Sequence, residues 1–171
     1  MADPQGGDVH PPSDGELVTG IAAFAARAAQ MVGGARMELA LLSQELDRRI
    51  YGTEAFADAL RKFVLQHQRT RVRVLVSHPQ AAIGNAPRLV ELGRTLSSFV
   101  EFRELMPIRQ QTVRDEYLVA DGRVLLYRET PNDLEAKFYD KAPHLGRMQL
   151  KHFDLLWNEA EPAQELRKLG I

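Results

Sequence analysis

Residues 116–127 read EYLVADGRVLLY. Glu116 to Ala120 and Val124 to Tyr127 are apolar runs of strand length, and Asp121-Gly122 stands between them. An Asp-Gly pair in that position is a strong hairpin signal, because both residues tolerate the positive φ of a tight turn. The stretch therefore predicts two antiparallel strands, and the class of the fold depends on what surrounds them.

Upstream, the chain alternates strand and helix. Met37 to Leu42 (MELALL) reads as a strand. After a turn over Asp47 to Gly52, Thr53 caps a helix over Glu54 to Gln66, with Phe56, Leu60, Phe63 and Val64 on one face. Arg71 to Ser77 (RVRVLVS) alternates and predicts a strand. A loop around Pro79 and Gly84-Asn85 leads to a helix from Pro87 to about Ser97. Phe99 to Leu105 (FVEFREL) predicts another strand, followed by a Pro-containing loop. Such alternation implies parallel strands joined by right-handed crossovers.

The two ends complete the reading. Downstream, Ala136 to Tyr139 (AKFY) is a short strand, and Leu145 to Ala160 a helix carrying Met148, Phe153, Leu156 and Trp157. A further short helix follows Pro162. Near the start, Ser13 and Glu16 form a capping-box pattern, and Leu17, Ile21, Phe24, Ala28, Met31 and Val32 recur at helical spacing as far as Gly33-Gly34. These features predict a helix from Glu16 to Val32. The sum is an α/β fold with a mixed, mostly parallel sheet and helices on both faces. Residues 1–14, polar and rich in Pro and Gly, are expected to form a disordered tail, and residues 15–171 one domain.

Composition narrows the function. With a net charge of -1, no global field draws the chain to nucleic acid or an anionic membrane. An aromatic fraction of 7% argues against a broad base-stacking surface. The absence of cysteine excludes disulfides, thiolate metal sites and cysteine nucleophiles, and suits a reducing, cytoplasmic setting. The first residues carry no secretory signal, and no apolar run approaches the length that spans a bilayer. No Ser-His-Asp triad, Gly-rich phosphate loop or zinc pattern is visible, so no cofactor is assigned. His144 and His152 with Asp140 and Asp154 match no metal-ligand spacing.

Over residues 16–160 the order of elements is similar to one repeat of the phospholipase D superfamily. The resemblance rests on the helix leading into RVRVLVS, the Asp-Gly hairpin, and a last helix ending in FDLLW. More narrowly, Ser43, Leu46-Asp47 and Tyr51, ahead of the acidic start of the TEAFADAL helix, resemble an uncharacterised bacterial family of small phospholipase-D-like domains. The superfamily's catalytic pattern is His-x-Lys-x-x-x-x-Asp, with His as nucleophile and Lys on the phosphate oxygens. Placing Asp121 on the motif Asp puts Glu116 at the Lys position and Arg114 at the His position. Arginine is always protonated and cannot be a nucleophile, and Glu116 sets a negative charge where phosphate would sit. Tyr127-Arg128-Glu129 replaces the Gly-Ser that usually follows. The resemblance thus implies the fold without the chemistry.

Ligands gather at the carboxyl ends of strands in open α/β sheets. Ser43, Asp47 and Tyr51 follow one such strand and His78 another, and with Arg114, Glu116 and Arg128 they are the candidate ligand-binding residues. Asp47 is expected to pair with Arg114 or Arg128. Arg69, Arg71 and Arg73 read as a solvated basic row. The expectation is a catalytically silent domain with a binding or regulatory role, no cofactor and no membrane attachment. It would be a homodimer, since superfamily members with one repeat pair two copies across the active-site face. A small phosphorylated or anionic ligand fits. The alternatives are nucleic acid held by an arginine-lined cleft, or an enzyme of different chemistry using Asp47, Glu116 or His78.

Overall fold

The structure is a computed structural model that describes residues 11, 12 and 14–167. Along the chain run β1 (Glu16–Thr19), α1 (Ile21–Gly34), β2 (Glu38–Leu42), α2 (Glu54–Gln66), β3 (Arg71–Val76), α3 (Pro79–Asn85), α4 (Pro87–Thr95) and β4 (Val100–Glu104). There follow α5 (Pro107–Thr112), β5 (Glu116–Ala120), β6 (Val124–Arg128), β7 (Glu135–Tyr139), α6 (Pro143–Glu159), β8 (Glu161–Pro162) and α7 (Gln164–Arg167).

The strands form one sheet in the order β1-β7-β6-β5-β2-β3-β4-β8. Only β2 with β3 and β3 with β4 are parallel, and the other five pairings are antiparallel. The mixed α/β class holds, but the expectation of a mostly parallel sheet gives way to a mostly antiparallel one. The cause is the hairpin: once β5 joins β2 antiparallel, β6 and β7 extend the same side without crossovers.

The turn is built as its sequence requires. Asp121 and Gly122 have φ of 53° and 62°. The Asp121 carboxylate accepts from the backbone N–H of Arg36 (2.9 Å), Met37 (2.8 Å) and Glu38 (3.0 Å), tying the hairpin to the start of β2. A Cβ on Gly146 would lie 2.3 Å from the Gly122 carbonyl oxygen, so only glycine lets α6 approach the turn.

Two apolar layers flank the sheet. On one face Phe24, Ala28 and Val32 of α1, Phe56, Leu60 and Phe63 of α2, Leu89 and Val90 of α4, and Leu166 of α7 pack on Leu39, Leu41, Val74 and Leu118. On the other, α6 alone supplies Phe153, Leu156 and Trp157 against Leu42, Leu75, Tyr117 and Tyr127. The Phe153 and Trp157 rings stack at 5.7 Å, as their spacing on one helix face anticipates.

Four further expectations need correction. Glu16–Thr19 is strand rather than helix, pairing with β7 from Glu16↔Phe138 to Thr19↔Glu135, and the helix begins after Gly20. The apolar residues at helical spacing are real but serve only from Ile21 onward. Ser13 lies outside the described residues, as do 1–10 and 168–171. The loops around Pro79 and after Leu105 hold helices α3 and α5, each with Pro in its first turn, where a missing N–H costs nothing. Arg73 is no solvated cation: it is buried, 2.7 Å from Asp154, with Phe153 and Trp157 ring centroids 5.0 and 5.7 Å away.

Candidate functional site

The chain leaves β2 at Leu42 and turns sharply over the sheet end. Leu46 takes φ 57°, and its N–H donates to Ser43 Oγ at 3.0 Å. The Asp47 carbonyl accepts from Ile50 and Tyr51, making one helical turn that delivers Thr53 to the N-cap of α2. Gly52 is required here, since a Cβ would lie 2.2 Å from the Asn85 carbonyl oxygen. The Asn85 side chain in turn donates to Glu45 O at 3.0 Å. The β2–α2 loop and the end of α3 therefore form one wall of a cleft. The opposite wall comes from β5, β6 and the segment after β6.

The cleft, about 530 Å³, is lined by Gln44, Glu45, Asp47, Arg48, Arg49, Asn85, Arg114, Glu116, Arg128, Pro131 and Asn132. At its floor the register of β5 and β6 sets Glu116 opposite Arg128. Arg128 Nε donates to Glu116 Oε2 at 3.1 Å and Nη2 to the same oxygen, while Ser43 Oγ (3.0 Å) and Gln44 N–H (2.9 Å) donate to Oε1. Arg128 Nη1 reaches the Asp133 carbonyl at 3.3 Å and Asp47 Oδ2 at 3.8 Å, and the guanidinium lies 5.0 Å from the Phe24 ring centroid. Glu116 thus spends both oxygens within the protein. A buried pair satisfied in this way is held by its geometry, which must offset the desolvation of both charges.

Around this floor the predicted residues separate. Ser43 is buried and orders the loop beneath the cleft. Tyr51 is buried too, edge-on to Phe56 at 5.2 Å, and burial, reinforced by the Glu116 carboxylate, pushes its hydroxyl far above the usual range. For Asp47, burial opposes ionisation, but Arg49 and then Arg128 outweigh it and hold the carboxyl below its ordinary value. Asp47 therefore takes Arg49 as its main partner, at 3.1 and 2.9 Å, with Arg128 second and Arg114 not engaged. Arg114 is exposed at the rim without an ion pair among the described residues. His78 is exposed at the N-cap of α3 and does not line the cleft.

Sequence reasoning missed Glu45, Arg48, Arg49, Asn85, Pro131 and Asn132 as lining residues. Gly84-Asn85 carried a legible turn signal, but nothing local says which loop it meets. Among the described residues no group of three His, Asp or Glu side chains is placed to hold a metal ion. His152 instead meets the Tyr117 hydroxyl through Nδ1 at 2.9 Å.

Solved structures share this architecture at low identity. The archaeal chromatin protein TrmBL2, whose structure shows a novel mode of DNA binding, is similar with a TM-score of 0.63 and 15% identity over 91% of this chain and 56% of that one. The phospholipase D family member Nuc from Salmonella typhimurium is similar with a TM-score of 0.62 and 12% identity over 87% of this chain and 98% of that one. NucT from Helicobacter pylori is similar with a TM-score of 0.60 and 9% identity over the same shares. The chain thus spans about half of TrmBL2 and nearly all of Nuc and NucT. No curated protein matches it. The arrangement of sheet and helices is thus a phospholipase-D-like fold. Residues 21–169 match the family described as Domain of unknown function (DUF7931), and the chain belongs to that family.

Proposed function

We propose that this is a catalytically silent phospholipase-D-like domain, a cytoplasmic homodimer whose cleft holds a small phosphorylated or other anionic ligand for a binding or regulatory role. The supporting observation is the closed floor of the cleft. Where the superfamily pattern has Lys to hold phosphate, Glu116 stands with both oxygens bonded, and it has no exposed oxygen with which to act as a base. At the His position, the Arg114 guanidinium stays protonated and cannot attack phosphorus.

The same rim suits an anion. Four arginines face three carboxylates across the lining. With Arg128 on Glu116 and Arg49 on Asp47, what remains is Arg48 and Arg114 against Glu45. Arginine forks match phosphate oxygens well. Among the described residues no helix is long and apolar enough to cross a membrane.

The test uses bis(p-nitrophenyl) phosphate as a phosphodiester probe and inorganic phosphate as a ligand probe. The expected result is no release of nitrophenolate, with calorimetric binding of phosphate that Arg114→Ala weakens several-fold. Turnover with a trapped phosphoenzyme would sink the proposal of silence. For the dimer, light scattering during gel filtration should report twice the chain mass, and a monomer throughout the micromolar range rejects it. Because Glu116 is buried, the carboxylate at the rim for a partner copy's Arg114 is Glu45.

A second reading places nucleic acid on these same cleft arginines. It draws support from the similarity to TrmBL2. Duplex DNA competing with phosphate for the cleft, and losing affinity with Arg114→Ala, would favour it.

A further inference from the structure

The end of the sheet remote from the cleft is where β2 and β3 begin, where the β5–β6 turn closes and where α6 starts. Four of its bonds fix which side chains gather there. Arg36 N–H donates to Asp121 at 2.9 Å, Arg71 N–H to the Met37 carbonyl at 3.0 Å, and Arg123 N–H to the Ala120 carbonyl at 3.0 Å. Ala142 N–H, just before α6, donates to the Arg123 carbonyl at 2.8 Å. Arg147 lies beside the turn, its Cγ 4.0 Å from where a Cβ on Gly122 would stand. Lys151 follows one helical turn later, about 6 Å along α6. Asp154, the next residue on that side of α6, crosses to Arg73 of β3, so this stripe of the helix faces the strand ends that carry Arg71.

Arg36, Arg69, Arg71, Arg123, Arg147 and Lys151 are all exposed. Among the described residues none of the six has an ion pair. The neighbouring acids are mostly spent: Asp121 on three backbone N–H groups and Asp154 on Arg73. Glu38, and Asp140 past the end of β7, are left. Elsewhere several arginines are paired internally, as with Arg27, Arg49, Arg109 and Arg128, while Arg48 and Arg114 stand at the cleft. Six cations without an ion pair thus share this end of a protein whose net charge is -1.

We propose that this end of the sheet binds the phosphate backbone of a nucleic-acid duplex, independently of the cleft. The sheet order sets Arg123, Arg36 and Arg71 side by side across successive strand ends, with Arg147 beside the turn, and this spread suits a line of phosphates better than one small anion. Five of the six are arginines, whose forks fit phosphate oxygens. No Phe, Tyr or Trp side chain is exposed among them, so unpaired bases would find no large aromatic face to stack on, and a duplex is preferred to a single strand. Met37 and Met148 are the exposed apolar neighbours, too few for the apolar face that an interfacial helix inserts into lipid. Backbone contacts of this kind carry no sequence preference.

The full chain is titrated into fluorescein-labelled 20-base-pair DNA and RNA duplexes, the matching single strand, and vesicles of phosphatidylserine and phosphatidylcholine. The expected result is micromolar duplex binding without sequence preference. The slope of log K against log salt should be about −3 to −5, corresponding to roughly four or five phosphates. Arg71→Glu with Arg147→Glu and Lys151→Glu should weaken binding at least tenfold and flatten the slope. Arg114→Glu in the cleft should leave it within twofold, which separates this surface from the cleft reading. Arg147→Ala with Lys151→Ala, two exposed positions on α6, gives a milder second variant expected to lose several-fold while melting like the parent. The proposal is overturned by absent duplex binding in low salt, by tighter binding to the single strand, by binding to vesicles alone, or by loss through Arg114→Glu rather than the sheet-end variants.

Discussion

Glu116 and Arg128 sit opposite one another on β5 and β6, both almost wholly buried, with Arg128 Nε 3.1 Å from Glu116 Oε2. Their partnership closes the floor of the cleft. It also makes each charge a liability if the other is removed.

Glu116→Leu or Arg128→Met should therefore destabilise the fold by about 3–5 kcal/mol each, because an unpaired charge remains buried. The double variant should cost much less than the sum. Urea unfolding of the four species measures the coupling. Additive losses would show that the two charges do not depend on each other.

Asp121→Ala should cost about 1–3 kcal/mol, since the N–H groups of Arg36, Met37 and Glu38 lose their acceptor and alanine dislikes φ 53°. Asp121→Asn keeps one carbonyl oxygen and tolerates that φ, so its melting temperature should fall between the two. A ranking with asparagine below alanine would contradict this role.

Burial, then the Asp115 charge, raises the Tyr117 hydroxyl well above 10.0, and Tyr51 is raised likewise. Both are neutral in the fold while an unfolded tyrosine ionises near pH 10. Their contribution to stability is complete below that value and is lost as pH rises through it. In a spectrophotometric titration of the four tyrosines, Tyr51 and Tyr117 should ionise only as the chain unfolds. Ionisation of all four with circular dichroism unchanged would count against it.

His152 works from the acid side. Burial lowers its pKa below 6.5, with Arg109 adding to the effect and Asp115 opposing it. The neutral ring is the folded form, so stability is full above the unfolded pKa and falls as pH drops from there toward the folded value. The urea midpoint should decline as pH falls through and below the unfolded value near 6.5, and His152→Gln should flatten that decline. An unchanged slope in the variant would place the proton uptake elsewhere.

Removing residues 1–10 should leave the melting temperature within about 2 °C, since the polar, Pro- and Gly-rich segment offers no apolar surface to dock. Removing residues 1–14 should cost more. The Tyr139 hydroxyl donates to the Pro12 carbonyl, and Pro11 lines a cavity of about 410 Å³ beside Leu17 and Tyr127. Differential scanning calorimetry of the two truncations distinguishes them.

By itself the sequence determined those features that are local. Thr53 caps α2, whose bounds follow from apolar spacing, and Asp121-Gly122 turns the hairpin because both residues accept positive φ. The register was not legible: Arg123 joins the turn, so Ala120 faces Val124 and Glu116 faces Arg128. Tertiary structure decided the rest. Glu16–Thr19 carries a helix-compatible pattern, but its unpaired backbone groups are satisfied by the edge of β7, the sixth strand after it in the chain's order and invisible to local propensity. Arg71 and Arg73 read alike as members of one row, yet α6 packs over Arg73 with Asp154 and leaves Arg71 in water. Asp47 takes Arg49 two residues on, a local contact, but only the assembled sheet brings Arg128 within 3.8 Å of it and leaves Arg114 at the rim. A periodic pattern specifies which face is apolar, but burial and pairing depend on which distant element arrives there, and that is a property of the assembled sheet.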